Sequence, residues 1–133
     1  MDLVLLVGRI LFGALFILSG TGHFAQREAM VGYAKYKKVP MAGAGVAVSG
    51  LVFLLGGAAI ILGILAGWAS LAIAIVLFLT AVIMHAYWRE SDAAAKQTEQ
   101  MAFNKDISLV GAALISFVLF QKFGADLNWL ITK

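Results

Sequence analysis

The sequence predicts an all-α integral membrane protein whose four apolar helices pack as an antiparallel up-down bundle. Of its 133 residues, 62% are apolar and 13% are charged, whereas a water-soluble domain has about 45–50% apolar and about 25% charged residues. Four apolar stretches are each long enough to cross a bilayer as a helix, which takes about 20 residues. None of these stretches alternates apolar and polar residues as the strands of a membrane β-barrel do.

The predicted domain covers residues 1–133 and consists of the four spans and their connections. The spans are about residues 3–24, 43–66, 68–88 and 107–123. The first span contains one formal charge, Arg9, and the next two contain none. A tight hairpin near Ala66 and Gly67 is predicted because hardly any residues separate the second and third spans. An even number of spans returns the chain to its starting side, so both termini are expected on one side of the membrane.

The two longer connections, residues 25–42 and 89–106, are predicted as loops, and the second has a helical composition. Seven of the ten Lys and Arg residues lie in them: Arg27, Lys35, Lys37, Lys38, Arg89, Lys96 and Lys105. Because basic connections stay on the cytoplasmic side of a membrane, both loops are expected in the cytoplasm and both termini outside. These residues flank apolar spans, so the net charge of +3 indicates an anionic lipid surface and no nucleic-acid partner.

Glycines are predicted to bring the helices together. Leucine gains nothing by leaving lipid, so helix association depends on small residues that allow close backbone approach. The first span contains Gly8 and Gly13, and the second contains more glycines. Its glycines are Gly43, Gly45, Gly50, Gly56, Gly57 and Gly63.

Arg9 is the one formal charge well inside a span, about six residues from its start and thus about 9 Å along the helix axis. No acidic residue inside a span is available to pair with it. One interpretation is that its side chain extends to the outer lipid headgroups, near Ser70 or Gln121. The other is a candidate intramembrane contact with an anion or a quinone carbonyl, because a cation in this place is a functional hypothesis.

Both histidines are predicted at the same end of the bundle, since His23 closes the first span and His85 closes the third. The fourth span begins on that side, which adds Asn104, Lys105 and Asp106 to a candidate polar interface cluster. The aromatic residues expected around this cluster are Tyr33, Tyr36, Tyr87 and Trp88. Trp and Tyr collect at membrane interfaces, which makes simple anchoring of the helices one interpretation.

Two other interpretations of this cluster remain open. It could be a structural hydrogen-bonded group, or a chemical site whose imidazoles move protons or bind a quinone headgroup. No metal is predicted, because neither His-x-x-His nor Glu-x-x-His spacing occurs. The chain has no cysteine and no phosphate-binding or dinucleotide-binding glycine motif. The sequence therefore identifies no cofactor, and a quinone is the ligand it leaves open.

Five segments in a characteristic order resemble the DoxX family of small four-helix bacterial membrane proteins. They are GRILFGALFILSGTGHF, EAMVGYAKYKKVP, GGAAIILGILAG, MHAYWRE and MAFNKDISLVGAAL, from about residue 8 to about residue 114. The motif positions that match are Arg9, Ser19, Gly20, His23, Gly56, Gly57, Gly63, His85, Trp88, Phe103, Lys105 and Gly111. The chain departs from the family at Phe53, where many relatives have glutamate, at Gly67-Trp68 after the turn, and at Asp106, where Asn is usual.

The resemblance implies a multi-pass protein of the bacterial inner membrane that is associated with redox systems. The leading hypothesis is a non-catalytic accessory subunit of a quinone-linked or redox membrane complex, with a partner protein or a second copy beside it in the bilayer. A second hypothesis is a quinone-binding oxidoreductase or electron-transfer subunit that uses His23, His85 and Lys105. A third is a small-molecule transporter or receptor in which Arg9 contacts an anion.

Overall fold

The computed structural model describes residues 1–132, and within them five α-helices and no strand. The helices are α1 (Asp2–Ala25), α2 (Arg27–Tyr36), α3 (Ala42–Leu62), α4 (Ala66–Met84) and α5 (Ala93–Phe123). All except α2 belong to segments that are long and apolar enough to cross a membrane. The predicted all-α membrane bundle with four spans is therefore confirmed.

Residues 25–42 and 89–106, both predicted as loops, are largely helical, and the helical composition of the second agrees with this. Residues 27–36 form α2, which packs on the start of α3 through Ala34, Ala42 and Val46. In the second connection, Asp92 caps α5 by accepting a hydrogen bond from the Ala95 amide at 2.9 Å. The alanine-rich sequence that follows favours a helix, so α5 continues without interruption into the fourth span. Its 31 residues measure about 46 Å at about 1.5 Å per residue, longer than the hydrocarbon core of about 30 Å.

The turn between α3 and α4 lies earlier than the sequence predicted. Gly63 ends α3 in the left-handed conformation with φ of 70°, which glycine adopts without steric cost. The amide of Ile64 then bonds back to the Ala59 carbonyl at 2.9 Å, as at many helix ends. Gly67, predicted at the turn, lies inside α4. At the other end α4 stops at Met84, before the predicted limit of the third span.

The spans pack in the order α1, α3, α4, α5, with each helix contacting the next. We call the end of the bundle that carries α2 the loop end, and the end that carries Met1 and residues 127–132 the terminal end. The central core contains Phe16, Phe53, Ile60, Ile73, Leu77 and Ala113. Glycines of α1 and α3 meet closely, as predicted: a Cβ built on Gly13 would lie 2.6 Å from the Gly57 carbonyl oxygen. The same prediction is wrong for Gly8, which has no neighbour within 4 Å of such an atom.

Candidate ligand cavity at the loop end

A cavity of about 660 Å³ lies at the loop end, between the end of α1, the start of α3, the end of α4 and the middle of α5. Its wall is mainly aliphatic and aromatic, with Leu15, Phe16, Phe53, Leu77, Ile83 and Leu109 among its residues. The volume lies within the range of about 300–1,000 Å³ that small-molecule sites occupy. An apolar molecule of moderate size, or the apolar part of an amphipathic one, therefore fits here.

Polar side chains from four parts of the chain line the same cavity. His23 comes from α1, Tyr33 from α2, His85 from the residues after α4, and Lys105 and Asp106 from α5. The structure thus brings four members of the predicted cluster to one cavity. The fifth, Asn104, is exposed and does not line it. The histidines lie at the same end of the bundle because α1 and α4 run in the same direction.

His23 is fixed by its own helix. Its Nδ1 lies 2.7 Å from the carbonyl oxygen of Ser19, one turn earlier in α1. Because a carbonyl oxygen accepts but does not donate, Nδ1 must carry the hydrogen of this bond, and in the neutral ring Nε2 is then an acceptor. The ring also packs edge-on against Phe53, with centroids 5.6 Å apart. Within residues 1–132, Nε2 has no hydrogen-bond partner.

His85 lies between two carboxylates of α5. Its Nδ1 is 2.7 Å from Oε2 of Glu99, and its Nε2 is 3.7 Å from Oδ2 of Asp106. Asp106 is buried, with 4% of its surface exposed, and its Oδ1 lies 3.4 Å from Nζ of Lys105. His85 therefore joins the residues after α4 to α5 at the polar end of the cavity.

Glu99 is the centre of this polar network, and sequence reasoning missed it. Besides His85, the Glu99 carboxylate accepts a hydrogen bond from the Tyr33 hydroxyl and lies 3.2 Å from Nζ of Lys37. Lys37 also pairs with Glu90 at 2.8 Å. One signal could have found Glu99: in a helix over these residues, positions 99 and 106 are seven apart and share one face.

Burial raises the pKa of the Tyr33 phenol, and its hydrogen bond to Glu99 raises it further. Burial alone would lower the pKa of Lys37, but hydrogen bonds to Glu90 and Glu99 raise that pKa above its ordinary value. Both groups are therefore protonated at neutral pH and act as donors to Glu99. This arrangement ties α2 to α5 beside the cavity.

The sequence model of the DoxX family matches residues 4–86 of the chain. The chain belongs to the DoxX family. The match includes both cavity histidines, whereas Glu99 and Asp106 follow it in α5. No curated protein and no solved structure matches the chain.

The aromatic residues predicted around the site of this DoxX protein divide into two groups. Tyr33 lines the cavity and stacks on Tyr36, which is exposed, with ring centroids 6.3 Å apart. Tyr87 and Trp88 belong to a short 3₁₀ helix and pack edge-on against Phe103 of α5, with centroids 5.5 and 5.6 Å away. The second group attaches the residues after His85 to α5 and does not line the cavity.

Arg9 of this DoxX protein lies at the terminal end, away from the cavity. The prediction that it extends to lipid headgroups is wrong, because only 4% of its surface is exposed. Its Nε and Nη2 donate to the carbonyl oxygens of Ile60 and Ile61, at 2.9 and 2.5 Å, where α3 ends. Its Nη1 donates to the Trp129 carbonyl at 2.9 Å. Sequence reasoning did not find these partners, and the contact of Arg9 with an anion stays a prediction.

Proposed function

We propose that this DoxX protein is the membrane subunit of a quinone-linked redox complex and that it binds a lipid quinone in the loop-end cavity. The cavity is the main support for this proposal, because it combines a long apolar wall with a polar end. A lipid quinone has the matching form, with an oxygen-bearing ring and an apolar tail. The wall from Leu15 and Phe16 to Leu77 suits the tail, and the end with His23 and Asp106 suits the ring.

The electron donor in this proposal is a partner protein. The chain has no cysteine and no dinucleotide-binding glycine motif, and the side chains around the cavity are suited to binding and orienting a ring. Its role is therefore that of an accessory subunit, which holds the quinone while the partner exchanges electrons with it.

Narrowing the cavity at Ile83 is expected to weaken quinone binding at least about tenfold. Ile83 lines the cavity and is 37% exposed, so Ile83→Trp introduces a large ring there. The matched control is Ile75→Trp, in the same helix, because Ile75 is 55% exposed and does not line the cavity. The measurement is calorimetric titration of a short-chain quinone into each protein in lipid nanodiscs. Equal affinity of the two variants, or no saturable binding by the wild type, would contradict the proposal.

The role as an accessory subunit is tested separately with the tagged wild-type protein. Purification from its native membrane in a mild detergent is expected to recover a redox protein in a constant ratio to this chain. Recovery of the chain alone under every mild condition would contradict the accessory role, even if the quinone binds.

We also propose that the loop end faces the cytoplasm of a bacterium, because most of the Lys and Arg residues lie there. The chain has no cysteine, so single cysteines report position directly. Tyr36→Cys marks the loop end and Asp126→Cys the terminal end, both at exposed positions. With a membrane-impermeant maleimide, intact spheroplasts are expected to label position 126, and position 36 only after the membrane is opened. The reverse pattern would contradict this orientation.

A further inference from the structure

We propose that the loop-end cavity selects the reduced, hydroquinone form of its ligand over the quinone. This inference rests on the proposed function and names the redox state that the site prefers. It follows from the kind of polar atoms on the cavity wall, where two groups have room to accept hydrogen bonds.

The first acceptor is Nε2 of His23. Because Nδ1 donates to the Ser19 carbonyl at 2.7 Å, the neutral ring has its lone pair on Nε2. This atom lies on the opposite side of the ring from Ser19 and has no partner among residues 1–132. Packing against Phe53 holds the ring in place. A ligand beside His23 therefore meets an acceptor in a fixed orientation.

The second acceptor is the carboxylate of Asp106, which is buried in the cavity wall. The nearest basic atoms are Nε2 of His85 at 3.7 Å and Nζ of Lys105 at 3.4 Å. Both distances exceed the usual hydrogen-bond range of about 2.7–3.2 Å, so the carboxylate has room to accept a stronger hydrogen bond. Lys105 also lines the cavity, but its side chain is 64% exposed and its Nζ lies beside Oδ1 of Asp106.

The two redox forms of the ligand present opposite groups to these acceptors. A hydroquinone has two hydroxyl groups, each able to donate, whereas a quinone has two carbonyl oxygens that accept. A quinone placed against His23 and Asp106 would leave both protein acceptors without a hydrogen bond and would bring its oxygens close to a carboxylate. Sites built to bind a hydroxyl group reject analogues that lack it, because their own polar groups are then left unpaired.

The test compares a short-chain quinone with its own hydroquinone, titrated anaerobically into the protein in lipid nanodiscs. The wild type is expected to bind the hydroquinone at least about tenfold more tightly. Asp106→Asn replaces the carboxylate with an amide that can donate to a carbonyl, so the preference should shrink or reverse. Asp126→Asn, an exposed position at the terminal end, is the matched control and should leave the preference unchanged.

His23→Phe provides a second variant if Asp106→Asn fails to fold, because it keeps an aromatic ring against Phe53 and removes the acceptor. It too is expected to reduce the preference for the hydroquinone. Equal binding of both forms by the wild type, or tighter binding of the quinone, would overturn this inference and leave the proposed function standing. A preference unchanged in both variants would overturn the assignment to these residues. Binding of neither form would overturn the proposed function as well.

Discussion

Replacing Gly13 with alanine is expected to lower the free energy of unfolding by about 1–3 kcal/mol, the usual cost of overpacking a tight contact. The new Cβ would lie 2.6 Å from the Gly57 carbonyl oxygen and 2.6 Å from Cγ1 of Ile61. The contact is reciprocal, since a Cβ on Gly57 would lie 2.5 Å from the Gly13 carbonyl oxygen. One of these neighbours is backbone, so a side-chain rotation cannot relieve the clash, and α1 must move away from α3.

Gly8→Ala is the matched control for this prediction. Gly8 lies in the same helix, but a Cβ there has no neighbour within 4 Å, so the change in stability should stay within about 0.5 kcal/mol. Thermal unfolding of both variants and the wild type in one detergent is the measurement. If Gly13→Ala unfolds at the same temperature as Gly8→Ala, the close contact between α1 and α3 does not stabilise the protein.

The number of spans, their helical structure and their alternating direction could be predicted from the sequence, because the bilayer imposes a length and an apolar composition on every crossing segment. The rotation of each helix about its axis could not. Gly8 and Gly13 are alike in the sequence, yet Gly13 contacts α3 and Gly8 does not. Hydropathy does not distinguish them, because lipid and a neighbouring helix are both apolar surroundings.

The candidate site, too, could be predicted only in part from the sequence. Topology placed His23 and His85 at one end of the bundle, since the first and third spans run in the same direction. Glu99 was missed because its segment, although helical in composition, was predicted as a loop, which has no periodic faces. Lys37 follows the end of α2, so no helical repeat identifies it. Once Asp92 starts α5, the helical repeat places Glu99 and Asp106 on one face, where both approach His85.

The terminal end was the least predictable part, because the residues after α5 have no motif and no regular pattern. They fold back over the bundle end. The Thr132 amide donates to the Gly63 carbonyl at 3.0 Å, and the Leu65 amide donates to the Thr132 hydroxyl at 2.7 Å. Arg9 joins this segment to α1 and α3 from 120 residues away in the sequence. No local sequence pattern indicates a contact between residues so far apart in the chain.

Replacing Arg9 with methionine is expected to destabilise the protein and to release residues 127–132 from the end of the bundle. The Ile61 and Trp129 carbonyls would lose the donors that Arg9 supplies. Both bonds are only partly buried, so each loss costs less than the ~1–3 kcal/mol of a fully buried carbonyl left without a partner, and we expect a loss of about 1–3 kcal/mol in all. Thermal unfolding gives the change in stability. Hydrogen exchange, read by mass spectrometry, should rise in residues 127–132 and stay low in the middle of α3.

Arg9→Lys separates the charge of this residue from its geometry. Lysine keeps the positive charge but presents a compact ammonium, which cannot match the planar fork that reaches three carbonyls at once. We therefore expect the unfolding temperature of Arg9→Lys to lie between those of the wild type and Arg9→Met. Hydrogen exchange in residues 127–132 should show most of the increase expected for Arg9→Met. If Arg9→Lys behaves like the wild type, charge alone holds the terminal end. If Arg9→Met behaves like the wild type, the guanidinium does not stabilise the bundle. An anion ligand is then the better explanation for a buried cation at this position.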